Sequence, residues 1–141
     1  MRSGAEVVFD GYNANPESMS KLIENSLKVK HAGKKIGVIG EMGEMGVSRE
    51  KVHHELGAIV GAAGFDLIWF IGISSEQFGE GLKEANYAGS SFFSLNYDPA
   101  VALRIKLGIG ATDKVWIKGS RSMKLEQVVR AFDPLDFKDK D

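Results

Sequence analysis

Short apolar segments alternate with helical patterns five times along this chain, and that alternation limits the possible folds more than any other feature. The apolar segments are residues 5–9, 35–40, 67–71, 91–95 and 115–117. Crossovers of this kind build a parallel sheet with helices on both faces. The sequence therefore predicts an α/β fold with five strands, although the pattern does not specify the order of the strands.

Local signals set the expected limits of the helices. Asn15 is a good N-cap and Pro16 suits the first helical position, so the first helix is predicted to run from Pro16 to about His31, with Gly33 ending it. Ser48 is the predicted cap of the second helix, whose expected inner face is Val52, Leu56, Ile59, Val60 and Ala63.

Later elements carry similar signals. Leu67–Ile71 is apolar throughout, as in a strand covered on both faces. Ser74 and Gln77 have the spacing of a capping box for the third helix. Asp98 and Pro99 begin the fourth helix, and the fifth carries Met123, Leu125, Val128, Val129 and Phe132.

Bulk composition narrows the functional classes. The 141 residues suit one domain, 1–141, and the net charge of −1 gives no global basic field for nucleic acid or an anionic membrane. Cysteine is absent, which removes disulfides, thiolate metal sites and cysteine nucleophiles. No apolar run approaches the ~20 residues that span a bilayer. We therefore expect a cytoplasmic protein with neither nucleic acid nor membrane as partner.

The densest polar cluster follows the first strand. Asp10 to Met19 (DGYNANPESM) places an acid, a phenol and two amides on a strand-to-helix turn. Ligands of open α/β sheets bind at the carboxyl ends of strands. An aspartate there can accept both ribose hydroxyls, and asparagine amides can bind a base edge or a peptide. A polar turn in which Asn15 only caps the helix is the alternative, and both remain open.

A second cluster follows the fifth strand. Lys118, Gly119, Ser120 and Arg121 (KGSR) bring an ammonium, a hydroxyl and a guanidinium to the expected start of a helix, where free N–H groups favour anions. A basic turn with Ser120 or Ser122 as N-cap is the alternative. We favour an anion site, because both clusters would lie on the same edge of a parallel sheet.

Other segments carry weaker signals. Gly40 to Gly46 (GEMGEMG) is not a GxGxxG loop, and its glutamates disfavour phosphate, so a flexible connector is the expectation. His53 and His54 diverge by about 100° on a helix and are not a metal pair. No metal site is predicted. The chain has no GxxxxGK(S/T) loop, and it lacks the aspartate that a receiver domain needs at the end of its third strand.

Four segments together resemble the C-terminal domain of the Mur ligase family. The segment from Asp10 to Met19 is similar to the family signature D-x-Y-N-A-N-P-x-S-M. Val38 to Gly46 is similar to V-x-G-D/E-M-x-E-L/M-G, and His53 with Gly57 to H-x-x-x-G. Lys118 to Glu126 is similar to K-G-S-R-x-x-x-x-E. The resemblance covers residues 5–132 and is nearest to the branch of the family that adds D-alanyl-D-alanine.

The resemblance implies a Rossmann-like three-layer sandwich, with a mostly parallel sheet of five to six strands, one of them antiparallel. It also implies an ATP- and Mg-dependent ligase of peptidoglycan precursor synthesis, which joins D-alanyl-D-alanine to the UDP-N-acetylmuramoyl tripeptide through an acyl phosphate. By position, Asp10 and Asn13 would bind nucleotide, while the incoming dipeptide or the reacting phosphate would meet Asn15, Lys118, Ser120 and Arg121. The remaining motif residues, to which no role is assigned, are Tyr12, Glu41, Glu44 and His53.

The complete family enzyme also has an N-terminal domain and a central ATPase domain, which would be partners of this one and hold most of the ATP and Mg site. Met1 stands just before the first strand. We therefore expect the third domain of such a ligase, or a stand-alone relative, that is inactive by itself. The alternatives are a Rossmann-like nucleotide-binding module that acts alone and a protein-interaction module.

Overall fold

The computed structural model describes residues 5–10, 14–29, 32–43, 48–120 and 123–132, in which five strands alternate with five helices. The strands are β1 (Glu6–Asp10), β2 (Lys35–Gly40), β3 (Leu67–Ile71), β4 (Ser90–Ser94) and β5 (Lys114–Lys118). The helices are α1 (Pro16–Lys28), α2 (Arg49–Gly61), α3 (Ser75–Glu84), α4 (Pro99–Leu107) and α5 (Glu126–Phe132). None of these helices has the length and apolar content that crossing a membrane requires.

The strands form one sheet in the order β1-β5-β2-β3-β4. All four strand pairings among the described residues are parallel. The α/β fold with a parallel sheet is therefore confirmed. The antiparallel strand implied by the resemblance is not among the described residues.

Helices cover both faces of the sheet, because successive strand residues point to opposite sides. Ile68, Phe70 and Trp116 face a core shared with α1, α2 and α3. Trp69, Ile71 and Ile117 face a second core shared with α4 and α5. The three layers predicted from the alternation are thus present, and β3 is covered on both faces as its apolar run indicated.

Several element limits differ from the sequence predictions. The first helix ends at Lys28 rather than near His31, because Val29 is already extended (φ −89°, ψ 123°); His31 itself lies outside the described residues. Gly33 does not end that helix. A Cβ at Gly33 would lie 2.5 Å from the carbonyl carbon of Thr112, so glycine permits this close approach.

The observed limits of β1, β4 and β5 differ by one residue from the limits predicted from the sequence. β1 and β5 pair up to Asp10 and Lys118, so both residues belong to the sheet rather than to the turns that follow it. β4 ends at Ser94, and the side chain of Leu95 beyond it is exposed.

Helices α2 and α3 pack with their backbones almost in contact. A Cβ on Gly57 would lie 2.1 Å from the carbonyl oxygen of Phe78, and one on Gly81 would lie 2.1 Å from that of His54. The inner face predicted for α2 is wrong at Ile59, which is 44% exposed, whereas His53 is fully buried. The buried stripe is rotated because the small Gly57 must face α3.

We predict that Gly57→Ala lowers the free energy of unfolding by about 1–3 kcal/mol, because the added methyl group overpacks a backbone contact. The matched control is Gly79→Ala in α3, where a Cβ would meet only the Phe93 ring, at 3.5 Å. That change should be neutral or stabilising by up to about 1 kcal/mol, since alanine favours helix. Urea denaturation measures both, and equal effects would contradict the packing described here.

Candidate functional site

The two polar clusters meet at the carboxyl ends of adjacent strands. Asp10, the last residue of β1, is the register partner of Lys118, the last residue of β5. On its other side Lys118 pairs with Ile39 of β2. The prediction that the two polar clusters follow strands at the same edge of the sheet is therefore confirmed. The side chain of Asp10 and all of Tyr12, Asn13, Glu44 and Arg121, which belong to the predicted site, lie outside the part of the chain that the structure describes.

The surroundings of Lys118 and Ser120 differ from the prediction. Lys118 is only 3% exposed, and Ser120 is half-buried. α5 begins at Glu126, so this α-helix does not open directly at the KGSR segment, and Met123 lies in 3₁₀ conformation before it. Lys124 adopts a φ of +51°, a left-handed conformation that an α-helix does not contain. Instead, the Ser120 carbonyl accepts a hydrogen bond from the Met123 N–H at 3.0 Å.

Asn15 caps α1. Its Oδ1 accepts the Ser18 N–H at 2.8 Å, and the Ser18 Oγ accepts the Asn15 N–H at 3.1 Å, which completes a capping box. The prediction that Asn15 is the N-cap of the first helix is confirmed. Because Oδ1 already accepts the Ser18 N–H, Asn15 would bind a ligand by donating hydrogen bonds from Nδ2.

Glu41 follows β2, and hydrogen bonds from Ser74 to its carboxylate fix its side chain. One carboxylate oxygen accepts the Ser74 N–H at 2.9 Å and the other accepts the Ser74 hydroxyl at 2.5 Å. The same hydroxyl accepts a hydrogen bond from Arg49 Nη1 at 2.7 Å. The prediction of a flexible connector is therefore wrong for Glu41 and Met42, both of which are buried. The predicted capping box of the third helix is also wrong, because Ser74 bonds to Glu41 and makes no side-chain cap bond.

Gly72 makes room for this carboxylate. It has a φ of +153°, in the region that favours glycine, and a Cβ there would lie 2.5 Å from Glu41 Oε1. The carboxyl ends of β2 and β3 are thus joined by a buried acid that any side chain at residue 72 would displace.

His53 is buried on the other side of the same turn. Its Nε2 accepts the Met42 N–H at 3.0 Å, and its Nδ1 lies 2.8 Å from the Arg49 carbonyl oxygen. A ring that accepts at Nε2 and donates at Nδ1 is a neutral imidazole with its proton on Nδ1. The Phe70 ring packs edge-on against it, with centroids 6.0 Å apart.

His54 points away from His53, as predicted for adjacent helical residues. It reaches Glu80 and Glu84 on α3, and the hydrogen bond that its ring donates to the Glu84 carboxylate is the main reason that its pKa is raised above the usual value. The two histidines therefore do not form a shared site.

Two glycines allow the ends of β2 and β5 to touch. A Cβ on Gly119 would lie 2.9 Å from the Cα of Gly40 and 2.6 Å from Leu125 Cδ1. A Cβ on Gly40 would lie 3.2 Å from the Cα of Gly119. This approach brings Glu41 alongside Ser120, whose N–H donates to the Glu41 carbonyl at 3.2 Å.

Sequence reasoning missed the contributions of Arg49, Gly72 and Ser74. Ser74 follows the end of β3 and so belongs to the same sheet edge, which was the one available signal. No signal in the sequence indicated that Ser74 is hydrogen-bonded to Glu41, which lies 33 positions earlier.

A family model described as "Mur ligase, glutamate ligase domain" matches residues 1–121. This chain belongs to the Mur ligase family. The resemblance inferred from four segments of the sequence is therefore confirmed.

Individual relatives agree with the family assignment. The UDP-N-acetylmuramoyl-tripeptide–D-alanyl-D-alanine ligase of Bacillus subtilis (strain 168) is 33% identical over 129 residues, which cover 91% of this chain and 28% of that protein. The ligase of the same name from Escherichia coli (strain K12) is 33% identical over 124 residues, or 86% of this chain and 25% of that protein.

Solved structures of Mur ligases have the same fold. The crystal structure of MurF ligase from Thermotoga maritima in complex with ADP superposes with a TM-score of 0.71 at 27% identity, covering 93% of this chain and 28% of that one. This Mur ligase chain therefore spans little more than a quarter of the length of the relatives it matches.

We predict that Ser74→Ala lowers the free energy of unfolding by about 1–3 kcal/mol, because it leaves the Arg49 guanidinium and one Glu41 oxygen without their buried partner. Ser91→Ala, at an exposed serine of β4, is the matched control and should change it by less than about 0.5 kcal/mol. The double variant with Glu41→Gln should cost less than the sum of the single changes, since both act on one bond. Strict additivity in denaturant titrations would argue against a shared network.

Proposed function

We propose that this chain is the C-terminal domain of an ATP-dependent ligase that joins D-alanyl-D-alanine to the UDP-N-acetylmuramoyl tripeptide in peptidoglycan precursor synthesis. The observation that carries the proposal is the register pairing of Asp10 with Lys118 in a chain of the Mur ligase family. It brings the two segments with the most polar chemistry to one edge of the sheet. The names of the curated relatives and the ADP in the Thermotoga maritima structure support the substrate assignment.

Each site residue has a role in this proposal. Asp10 and Asn13 would bind the nucleotide, with the Asp10 carboxylate accepting ribose hydroxyls. Lys118, Ser120 and Arg121 would face the dipeptide or the reacting phosphate. A cation at a poorly solvated edge attracts a carboxylate or phosphate more strongly than one in bulk water. Asn15 would add an amide donor at the same edge.

The proposed ligation has two chemical steps. The γ-phosphoryl group of ATP passes to the tripeptide carboxylate, which gives an acyl phosphate and ADP. The neutral amine of D-alanyl-D-alanine then attacks the acyl carbon, phosphate leaves, and the amine loses a proton as the peptide bond forms. This domain would orient the dipeptide for that attack, and positioning of this kind accounts for much of the rate enhancement of enzymes.

The residues that the structure describes do not form a magnesium site. Across residues 5–10, 14–29, 32–43, 48–120 and 123–132, no group of three or more His, Asp or Glu side chains could hold a metal ion. No step is therefore assigned to magnesium on these residues. We propose that Mg and the ATP phosphates are bound mainly by the further domains of the ligase, which would be this domain's partners, in the cytoplasm where ATP and the precursor are available.

We predict that the 141-residue chain alone neither hydrolyses ATP nor ligates, because it spans only 28% of the Bacillus subtilis relative and transition-state stabilisation needs the whole site assembled. Phosphate release and formation of the pentapeptide product are the measurements. Clear turnover of ATP by the pure chain would contradict the proposal.

The direct test is a ¹⁵N amide NMR titration of this chain, first with Mg-ATP and then with D-alanyl-D-alanine. We expect dipeptide shifts clustered at Lys118–Ser120 and around Asn15, with weak ATP binding. Ser120→Ala should weaken the dipeptide response severalfold by removing a hydrogen-bonding hydroxyl, whereas Ser91→Ala on β4 should leave it unchanged.

Two kinds of result in this titration would contradict the proposed function. Tight, saturating ATP binding by this chain would indicate a nucleotide-binding module that acts alone. Equal responses to L-alanyl-L-alanine and D-alanyl-D-alanine, or shifts confined to the β4 end of the sheet, would contradict the dipeptide assignment.

A further inference from the structure

The peptide group between Glu41 and Met42 is hydrogen-bonded at both ends. Its carbonyl accepts the Ser120 N–H at 3.2 Å, and its N–H donates to His53 Nε2 at 3.0 Å. A trans peptide is planar, and its N–H and C=O point in opposite directions. The group therefore acts as a rigid connection between a histidine on α2 and a serine beyond the end of β5.

This connection extends into α2 as one continuous chain of hydrogen bonds. The Ser120 N–H donates to the Glu41 carbonyl, the Met42 N–H donates to the imidazole, and the imidazole Nδ1–H donates to the Arg49 carbonyl. All three bonds run in the same direction, so each polarises the next. Only the neutral ring with its proton on Nδ1 allows this direction.

Both flanks of the peptide are fixed. His53 is 0% exposed and is held against Phe70, on a helix whose glycine packs against the α3 backbone. On the other flank, the Glu41 carboxylate accepts both the N–H and the hydroxyl of Ser74. Glu41 Oε2 lies 3.4 Å from His53 Nε2, so the two side chains are in direct contact beside the peptide.

We propose that His53 and Glu41 are positioning residues for the ligand site: they fix the Glu41–Met42 peptide, which in turn fixes the backbone of Ser120, and neither side chain touches the ligand. The ligand part of this inference rests on the proposed function, in which Ser120 meets the dipeptide. Because the peptide is rigid, a loss of its bond to His53 lets it tilt, and its carbonyl then carries the Ser120 amide with it.

Two substitutions of the same residue separate positioning from simple packing. In His53→Gln, the side-chain oxygen reaches the place of Nε2 and can still accept the Met42 N–H. In His53→Asn, the shorter side chain reaches only the place of Nδ1, which keeps the Arg49 bond and loses the Met42 bond. Both remove the ring that packs on Phe70, so both should lower the melting temperature to a similar extent.

The readouts are the Ser120 amide chemical shift and the Kd for D-alanyl-D-alanine, both measured in the 141-residue chain. We expect His53→Gln to keep the wild-type Ser120 shift and a Kd within about twofold. We expect His53→Asn to move the Ser120 shift and to weaken binding about tenfold, the scale of one lost buried hydrogen bond. Equal Ser120 shifts and equal affinities in the two folded variants would overturn the proposal.

Glu41→Gln provides a second variant if the histidine changes prevent folding. It keeps the size of the side chain but replaces one acceptor oxygen with an amide donor, so the side chain can no longer accept the N–H and the hydroxyl of Ser74 through separate oxygens. A shift of the Ser120 amide in this variant supports positioning, and an unchanged amide overturns it. Failure of wild-type protein to bind the dipeptide would count against the proposed function, whereas the Ser120 shifts without ligand test the positioning by themselves.

Discussion

The Glu41–Met42 peptide joins three parts of the molecule that are far apart in sequence. It follows β2, receives the Ser120 N–H from the segment after β5, and donates to His53 on α2. The side chain of Glu41 adds the segment after β3 through Ser74. The carboxyl ends of three neighbouring strands are therefore held in one arrangement by buried hydrogen bonds. Such bonds are costly to break, because each leaves a desolvated polar group without a partner.

Glycines make this arrangement possible at each close approach. Gly40 and Gly119 let the ends of β2 and β5 touch, and Gly72 leaves room for the Glu41 carboxylate. Gly57 lets α2, which carries His53, lie against the backbone of α3. The glycines of the GEMG, HxxxG and KGS segments thus share one physical role, and the segments that resembled the Mur ligase family separately in the sequence are in contact in the fold.

The sequence predicted the features that depend on local patterns. The alternation of apolar and helical segments predicted the parallel α/β sheet, and the position of the polar clusters after β1 and β5 predicted their common edge. Strand order was not predictable, because it depends on how each crossover packs rather than on the residues of the strand. The predicted start of the fifth helix was wrong, because α5 begins only at Glu126, after the left-handed residue Lys124.

The interior of the site was harder to predict than its edge. His53 lay outside the inner face predicted for α2, and its burial could not be read from the sequence because the groups that hydrogen-bond to its ring are backbone atoms of Met42 and Arg49. Glu41 and Ser74 lie 33 positions apart, and the local sequence around neither residue indicates that the two side chains are hydrogen-bonded. Propensity and periodicity describe one element at a time, whereas these contacts depend on how β2, β3, β5 and α2 come together.

The most direct test of this account is to measure scalar couplings across the two hydrogen bonds of the Glu41–Met42 peptide by NMR. Uniform ¹³C and ¹⁵N labelling allows a coupling to be detected between the Met42 amide nitrogen and His53 Nε2, and another between the Ser120 amide nitrogen and the Glu41 carbonyl carbon. We expect both couplings, together with a His53 ring that carries its proton on Nδ1 and none on Nε2. A proton on Nε2, with no coupling to Met42, would contradict this account.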